Sequence, residues 1–173
     1  MLDIGCGIGR VLKPLAPYFQ ELVGVDVSSE MIAQSKIWLA DHPQITTYET
    51  SGVDLQEFPY NRFDLVYSYV AFQHMPRPVF TRYLGEIHRA MTPNGYLAFQ
   101  LPIGHFRDVP LEDTIAIRSY PIQEIEEILR RNGLGFLNHT PSDLKSNDRS
   151  DPLTHRFHLA QKIGPARPLT QED

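Results

Sequence analysis

Three glycines at alternate positions, Gly5, Gly7 and Gly9, separate an apolar tripeptide from an amphipathic segment within the first ten residues. Few folds accommodate that arrangement. Leu2 to Ile4 reads as the end of a buried strand, and Arg10 to Phe19 as a short amphipathic helix. Pro14 and Pro17 weaken the helix, because each removes a backbone donor. Glycines let the backbone turn sharply and let a ligand come close to it. Free N–H groups at the start of a helix favour anionic or polar ligand groups. About 20 residues on, Glu21 to Asp26 reads as a second strand ending in a carboxylate. Such a carboxylate can accept both hydroxyls of a ribose. The glycine pattern alone also fits a bare strand-to-helix turn; the acid closing the next strand favours a nucleoside ligand. A dinucleotide fingerprint wants its third glycine at position 10, where Arg10 stands. That displacement weakens a dinucleotide reading without excluding it.

Length and composition bound the rest. At 173 residues the chain is long enough for one sizeable core and too short for two ordinary domains. The net charge of −5 and the scatter of Lys and Arg give no nucleic-acid footprint. No apolar run reaches the length of a membrane span, and the first residues are not a signal peptide. A single cysteine, Cys6, makes no internal disulfide, which fits a cytoplasmic protein. The histidines and acids show no metal-ligand spacing.

Along the chain, strand and helix patterns alternate, as in a parallel sheet covered on both faces. Ser28 or Ser29 caps a helix running to about Ala40, with Met31, Ile32, Ile37 and Trp38 as its apolar positions. Ile45 to Glu49 and Phe63 to Ser68 read as the third and fourth strands, and Arg77 to Met91 as a helix. Pro93-Asn94-Gly95 turns into a fifth strand, Tyr96 to Leu101. Pro121 opens a helix through Asn132, which Gly133 terminates. Leu134 to His139 and His155 to Ile163 suit a terminal antiparallel hairpin, with the turn-rich residues 141–152 between them. One domain is expected over residues 1–163, followed by a frayed tail, 164–173.

Taken in order, these motifs resemble the class I S-adenosylmethionine-dependent methyltransferases. LDIGCGIG resembles their first motif, and VGVDVSSEMI their ribose-binding second strand with the helix after it. TSGVDLQEFPYNRFDLVYSYVAFQHM resembles the adenine-binding loop and fourth strand, and RAMTPNGYLAFQLP the approach to the fifth. The resemblance implies a Rossmann-like, doubly wound, mostly parallel sheet with an antiparallel C-terminal hairpin. Its implied cofactor is S-adenosyl-L-methionine, and its implied reaction is in-line methyl transfer to a small-molecule acceptor. Backbone groups of Gly5, Cys6 and Gly7 would contact the methionine end, with Asp3 organising its ammonium. Asp26 would take the ribose hydroxyls, while Val27 and Met31 pack on the adenine. Gly52, Val53 and Asp54 lie where the family reads the adenine amino edge. Val53 intervenes between the glycine and the acid, so a neighbour's backbone could serve in place of Asp54. Ser68 and Tyr69 should lie near the transferring methyl.

Methyl transfer asks the protein mainly to hold donor and acceptor in line. His74 is the candidate general base, since an unperturbed histidine titrates near pH 6.5; the other reading makes it a residue that shapes the pocket. Tyr69 and Gln73 could position an acceptor instead. Residues 102–120 form the expected substrate-selecting segment, with His105 and Arg107 as candidate contacts. Each pick also has a plainer reading: Cys6 as loop packing, Asp54 as a turn cap, Met31 and Trp38 as core. By the resemblance the chain lacks the segment that precedes the first motif. That truncation should expose part of the sheet's apolar face and lower stability, or call for a partner to cover it. Two further functions stay open: a nicotinamide-dependent oxidoreductase on a similar sheet, and a non-catalytic cofactor-binding or interaction domain.

Overall fold

The computed structural model describes residues 1–104, 109–110, 113, 115–137 and 154–165, the side chains of 154–156 excepted. Among these, the strands are β1 (Leu2–Ile4), β2 (Leu22–Asp26), β3 (Ile45–Glu49), β4 (Phe63–Ser68), β5 (Met91–Ile103), β6 (Leu134–Phe136) and β7 (Thr154–Lys162). The helices are α1 (Leu12–Leu15), α2 (Ser29–Trp38), α3 (Arg77–Ala90) and α4 (Ile122–Arg131). The strands form one sheet in the order β3-β2-β1-β4-β5-β7-β6. The first five run parallel, and β7 lies antiparallel between β5 and β6. This is the doubly wound sheet with the expected C-terminal hairpin. The chain leaves β1 toward β2 and β3, then returns to β4 on the other side. A crevice at such a reversal point, outside the carboxyl ends of the strands, is where ligands of open α/β sheets sit.

Alternation along the strands decides what each face buries. Leu2, Ile4, Val66, Leu97 and Phe99 face one way, into a core completed by Phe80, Leu84 and Ile87 of α3 and Ile125 and Leu129 of α4. The spacing 80, 84, 87 and 125, 129 puts each helix's apolar residues on one stripe, and each such side chain contributes roughly 1.5–3 kcal/mol on burial. The opposite face is covered beside β1 and β2, where Cys6, Leu12, Ile32 and Leu39 cluster. Farther along, Tyr69 just past β4, Tyr96 of β5 and Phe157 of β7 are exposed on that side.

Several boundaries differ from the sequence reading. The expected helix from Arg10 to Phe19 is one α-helical turn followed by a 3-10 turn over Ala16–Tyr18, because Pro14 and Pro17 interrupt the ladder. Ile37 and Trp38 are not core: they are 80% and 49% exposed, since α2 turns only Ile32 and Ser35 fully inward. The Lys13 ammonium lies 3.9 Å from the Trp38 ring centre and donates to the Trp38 carbonyl. β5 begins at Met91, which already pairs with Phe63; Thr92 to Gly95 bulge out before Tyr96 pairs with Leu65. β6 ends at Phe136, short of the expected His139. His139 and the loop 141–152 lie outside the described residues. So do His105 and Arg107.

Candidate functional site

The glycine loop leaves β1 at the crevice. Gly5, Gly7 and Gly9 all have positive φ, the region where a side chain is strained. Close packing adds a second reason at Gly5, whose Cβ would lie 2.4 Å from Ala71 Cβ. The exit of β4 therefore closes directly on the loop. Gly7 differs, because a Cβ there would meet nothing within 4 Å. The loop is tight at Gly5 and open to an occupant at Gly7.

Asp26 ends β2 and bridges the loop. Its Oδ2 accepts from Gly7 N–H at 2.8 Å, and its Oδ1 from Ser28 N–H at 2.9 Å. A carboxylate has about four lone-pair sites, so two remain for ligand hydroxyls. Ser28 Oγ in turn accepts from Met31 N–H at 3.3 Å and caps α2. Asp3, on the same sheet face as its β4 partner Tyr67, is buried. Desolvation, reinforced by the nearby Asp26 charge, raises its pKa to about 7. A cation brought beside Asp3 would favour its ionised form. Cys6 is buried between the loop and Gly24, and burial with the Asp3 and Asp26 charges pushes its thiol far up. It is a packing residue and no nucleophile.

The third part of the rim follows β3. Gly52 has positive φ, and a Cβ on it would lie 2.5 Å from Val27 Cγ1, so the loop packs on Val27. Val27 and Val53 are both exposed, and Met31 is half-buried. These three offer apolar surface beside Asp26. Asp54 is drawn away: its Oδ2 accepts from Arg82 of α3 at 3.3 Å.

At the fourth strand the expected residues separate. Ser68 is fully buried, and its hydroxyl donates to the Ile4 carbonyl at 3.1 Å. It ties β4 to β1 and does not face the crevice. Tyr69, one residue on, is half exposed and stacks on Phe157 with ring centres 5.8 Å apart. Tyr67 stacks on the same ring at 6.2 Å. Phe157 was not singled out from the sequence; its place is set by β7 pairing, through Gln100. The chain then makes a 3-10 turn over Phe72–His74. Gln73 is buried, and its Nε2 lies 3.1 Å from His74 Nε2. His74 Nδ1 lies 3.3 Å from the Ala116 carbonyl. Both ring nitrogens are thus engaged, and Nδ1–H with an accepting Nε2 satisfies both contacts. Among the described residues, no group of three or more His, Cys, Asp or Glu could hold a metal ion.

With this geometry in place, comparison with known proteins is decisive at the family level. The methyltransferase domain family matches residues 2–99, from β1 to β5. The chain belongs to the class I S-adenosylmethionine-dependent methyltransferases. Phosphoethanolamine N-methyltransferase 2 of Caenorhabditis elegans is 30% identical over 93% of this chain. This chain spans 38% of that relative's length. N-terminal Xaa-Pro-Lys N-methyltransferase 1 of Rattus norvegicus is 24% identical, over 92% of this chain and 70% of its own length. Among solved structures, an S-adenosylmethionine-dependent methyltransferase from Mesorhizobium loti superposes with a TM-score of 0.68 at 19% identity, covering 92% of this chain and 89% of its own. The [4+2]-cyclase SpnF superposes with a TM-score of 0.72 at 18% identity, covering 95% of this chain and 75% of its own. One fold therefore carries differently named activities, and the superpositions speak to fold alone.

The family implies S-adenosyl-L-methionine, and the residues present fit it. Asp26 keeps acceptor capacity for hydroxyls, Gly7 leaves open space above the loop, and Asp3 sets a buried carboxyl in β1, just before the loop.

Proposed function

We propose that this chain transfers the methyl group of S-adenosylmethionine to a small-molecule acceptor. The observation that carries the reading is the course of the chain after β5. Tyr120 returns to bridge Ile103, and Gly104 N–H donates to the Tyr120 carbonyl at 3.1 Å. Tyr120 and the described residues just before it therefore lie beside the end of β5. We read residues 115–120 as the far wall of the crevice, and a walled crevice suits a compact acceptor better than an extended chain.

When bound, the cofactor supplies an already activated methyl group on its sulfonium. The protein's own work is then binding and alignment. Asp26 and the Gly7 backbone hold the nucleoside end, Asp3 the ammonium, and Val27, Met31 and Val53 the base. Asp54, paired with Arg82, supports the loop while its neighbour's backbone meets the base. Tyr69 forms the apolar side of the acceptor position, with Gln73 and His74 behind it. Because both His74 nitrogens are occupied, its role is to shape the pocket.

Methyl-tritiated S-adenosylmethionine, incubated with the protein and a host cell extract, tests this. Label is expected to pass a small-cutoff filter after deproteinisation, dependent on the enzyme. Label held in the protein fraction, like the N-terminal methylation named in one relative, would overturn the small-molecule assignment. Synthetic phosphoethanolamine, named in another relative, is the first pure acceptor to try.

A further inference from the structure

Arg118 is among the most buried residues of the far wall, at 4% exposed. Its guanidinium meets carbonyl oxygens alone among the described residues. Nη1 donates to His74 O at 2.8 Å and more weakly to Ala116 O at 3.4 Å. Nη2 donates to Pro110 O and Asp113 O, both at 3.0 Å. Its backbone N–H donates to Gln73 O at 2.8 Å. One side chain thus joins two pieces of chain that the sequence separates by 44 residues.

We propose that Arg118 is a positioning residue for methyl transfer, clasping the Gln73–His74 turn at the outlet of β4 to the segment after β5. This takes the crevice as the acceptor side, as proposed above.

A buried cation is costly unless its donors are met; among the described residues Arg118 meets four carbonyls and no carboxylate. The planar guanidinium offers five donors in a rigid fork, so it reaches four carbonyls in different directions. A lysine ammonium offers three from one atom and cannot span them. The far side of the joint is itself preset. Asp113 Oδ1 accepts from Ile115 N–H at 3.1 Å and Ala116 N–H at 2.9 Å, which orders the turn that presents its own carbonyl to Arg118. On the near side, the turn held through His74 O carries the ring that reaches Ala116 O. Gln73 completes the block from within: its amide contacts the His74 ring, and its buried Oε1 has no partner among the described residues. Such an orphan acceptor is costly, so it persists only where other bonds fix the segment that carries it. The backbone joint at Arg118 N–H to Gln73 O does so. Three elements of the acceptor wall, Gln73, His74 and residues 115–118, therefore move as a unit only while Arg118 is in place. The cofactor side, from Asp3 to Asp26, shares none of these bonds.

Arg118→Lys and Arg118→Met in the full chain test the clasp by three readouts. The first is affinity for S-adenosylhomocysteine by calorimetry, expected to stay within about twofold of the unmodified protein. The second is labelled methyl transfer into serial dilutions of the deproteinised extract. The extract dose giving half-maximal rate should rise about tenfold in Arg118→Lys, while the maximal rate falls less. The third is amide hydrogen exchange, which should accelerate over residues 72–75 and 115–120 and stay unchanged in β1 to β3. An unchanged half-saturating dose, or cofactor affinity falling in step with it, overturns the proposal. If the unmodified protein methylates nothing in the extract, the small-molecule reading fails on its own. The exchange pattern then decides the clasp, with unchanged or uniformly faster exchange counting against it. Should Arg118→Met not fold, Arg118→Lys carries the test.

Discussion

At the residue scale, the proposed cofactor recognition is divided between two aspartates. Asp26 is fixed by two backbone N–H donors and keeps acceptor sites free. Asp26→Ala should weaken S-adenosylhomocysteine binding on the order of 100-fold, since a hydrogen bond to a charged group is worth about 1.5–3 kcal/mol. Calorimetry reads that loss directly. Asp3 adds a pH dependence. Its folded pKa of about 7 lies above the ordinary 3.8, so without ligand the native state holds a proton that the unfolded chain has released between those values. Stability from this group is therefore greatest below the unfolded pKa and lost as pH rises toward 7. Ligand affinity runs the opposite way, because an ammonium wants Asp3 ionised. Binding should weaken below pH 7 by up to about tenfold per pH unit, with proton uptake by the buffer, and Asp3→Asn should flatten that profile. Ser68 marks the contrast. Ser68→Ala removes a buried tie to Ile4 and should cost about 1 kcal/mol of stability in urea unfolding, with ligand affinity unchanged.

At the scale of elements, the glycine loop is legible because its requirements are local. Gly5→Ala adds a Cβ at 2.4 Å from Ala71 to a residue already at φ 74°, so the exit of β4 must shift. Gly7→Ala meets open space and keeps the backbone strain alone, about 1–2 kcal/mol. Melting temperature should thus fall further for Gly5→Ala. Ligand affinity should fall in both, in Gly7→Ala because the methyl enters the space the ligand uses. β3 and β4 stand where their apolar patterns and flanking turns put them. The strand after α3 starts early because Met91 can pair before the Pro93-Asn94-Gly95 turn, a register event that patterning does not encode. Trp38 misleads for another reason: apolar composition says nothing of which way a helix turns when only one of its stripes has a partner. Arg118 was illegible because its partners are carbonyl oxygens, and no residue pattern marks a backbone acceptor. Phe157 was illegible because only strand pairing brings it to Tyr69.

At the scale of the molecule, the apolar core and the proposed cofactor loop occupy different parts of the sheet. The buried face under α3 and α4 is closely packed around Phe80, Phe99 and Ile125. Ile125→Ala should cost about 2–5 kcal/mol and lower the melting temperature without a specific effect on cofactor binding by the remaining folded protein. The opposite face leaves Tyr69 and Phe157 exposed and stacked toward the carboxyl ends of the strands, where we place the acceptor side of the crevice. Among the described residues no helix is long and apolar enough to cross a membrane. The glycine loop and Asp26 are proposed to form a working S-adenosylmethionine site on this chain. Calorimetric titration of the folded protein with S-adenosylhomocysteine tests it most directly. Saturable binding at one site per chain is expected, abolished or strongly weakened in Asp26→Ala. No heat from folded protein, or saturation by a nicotinamide dinucleotide in its place, would contradict it.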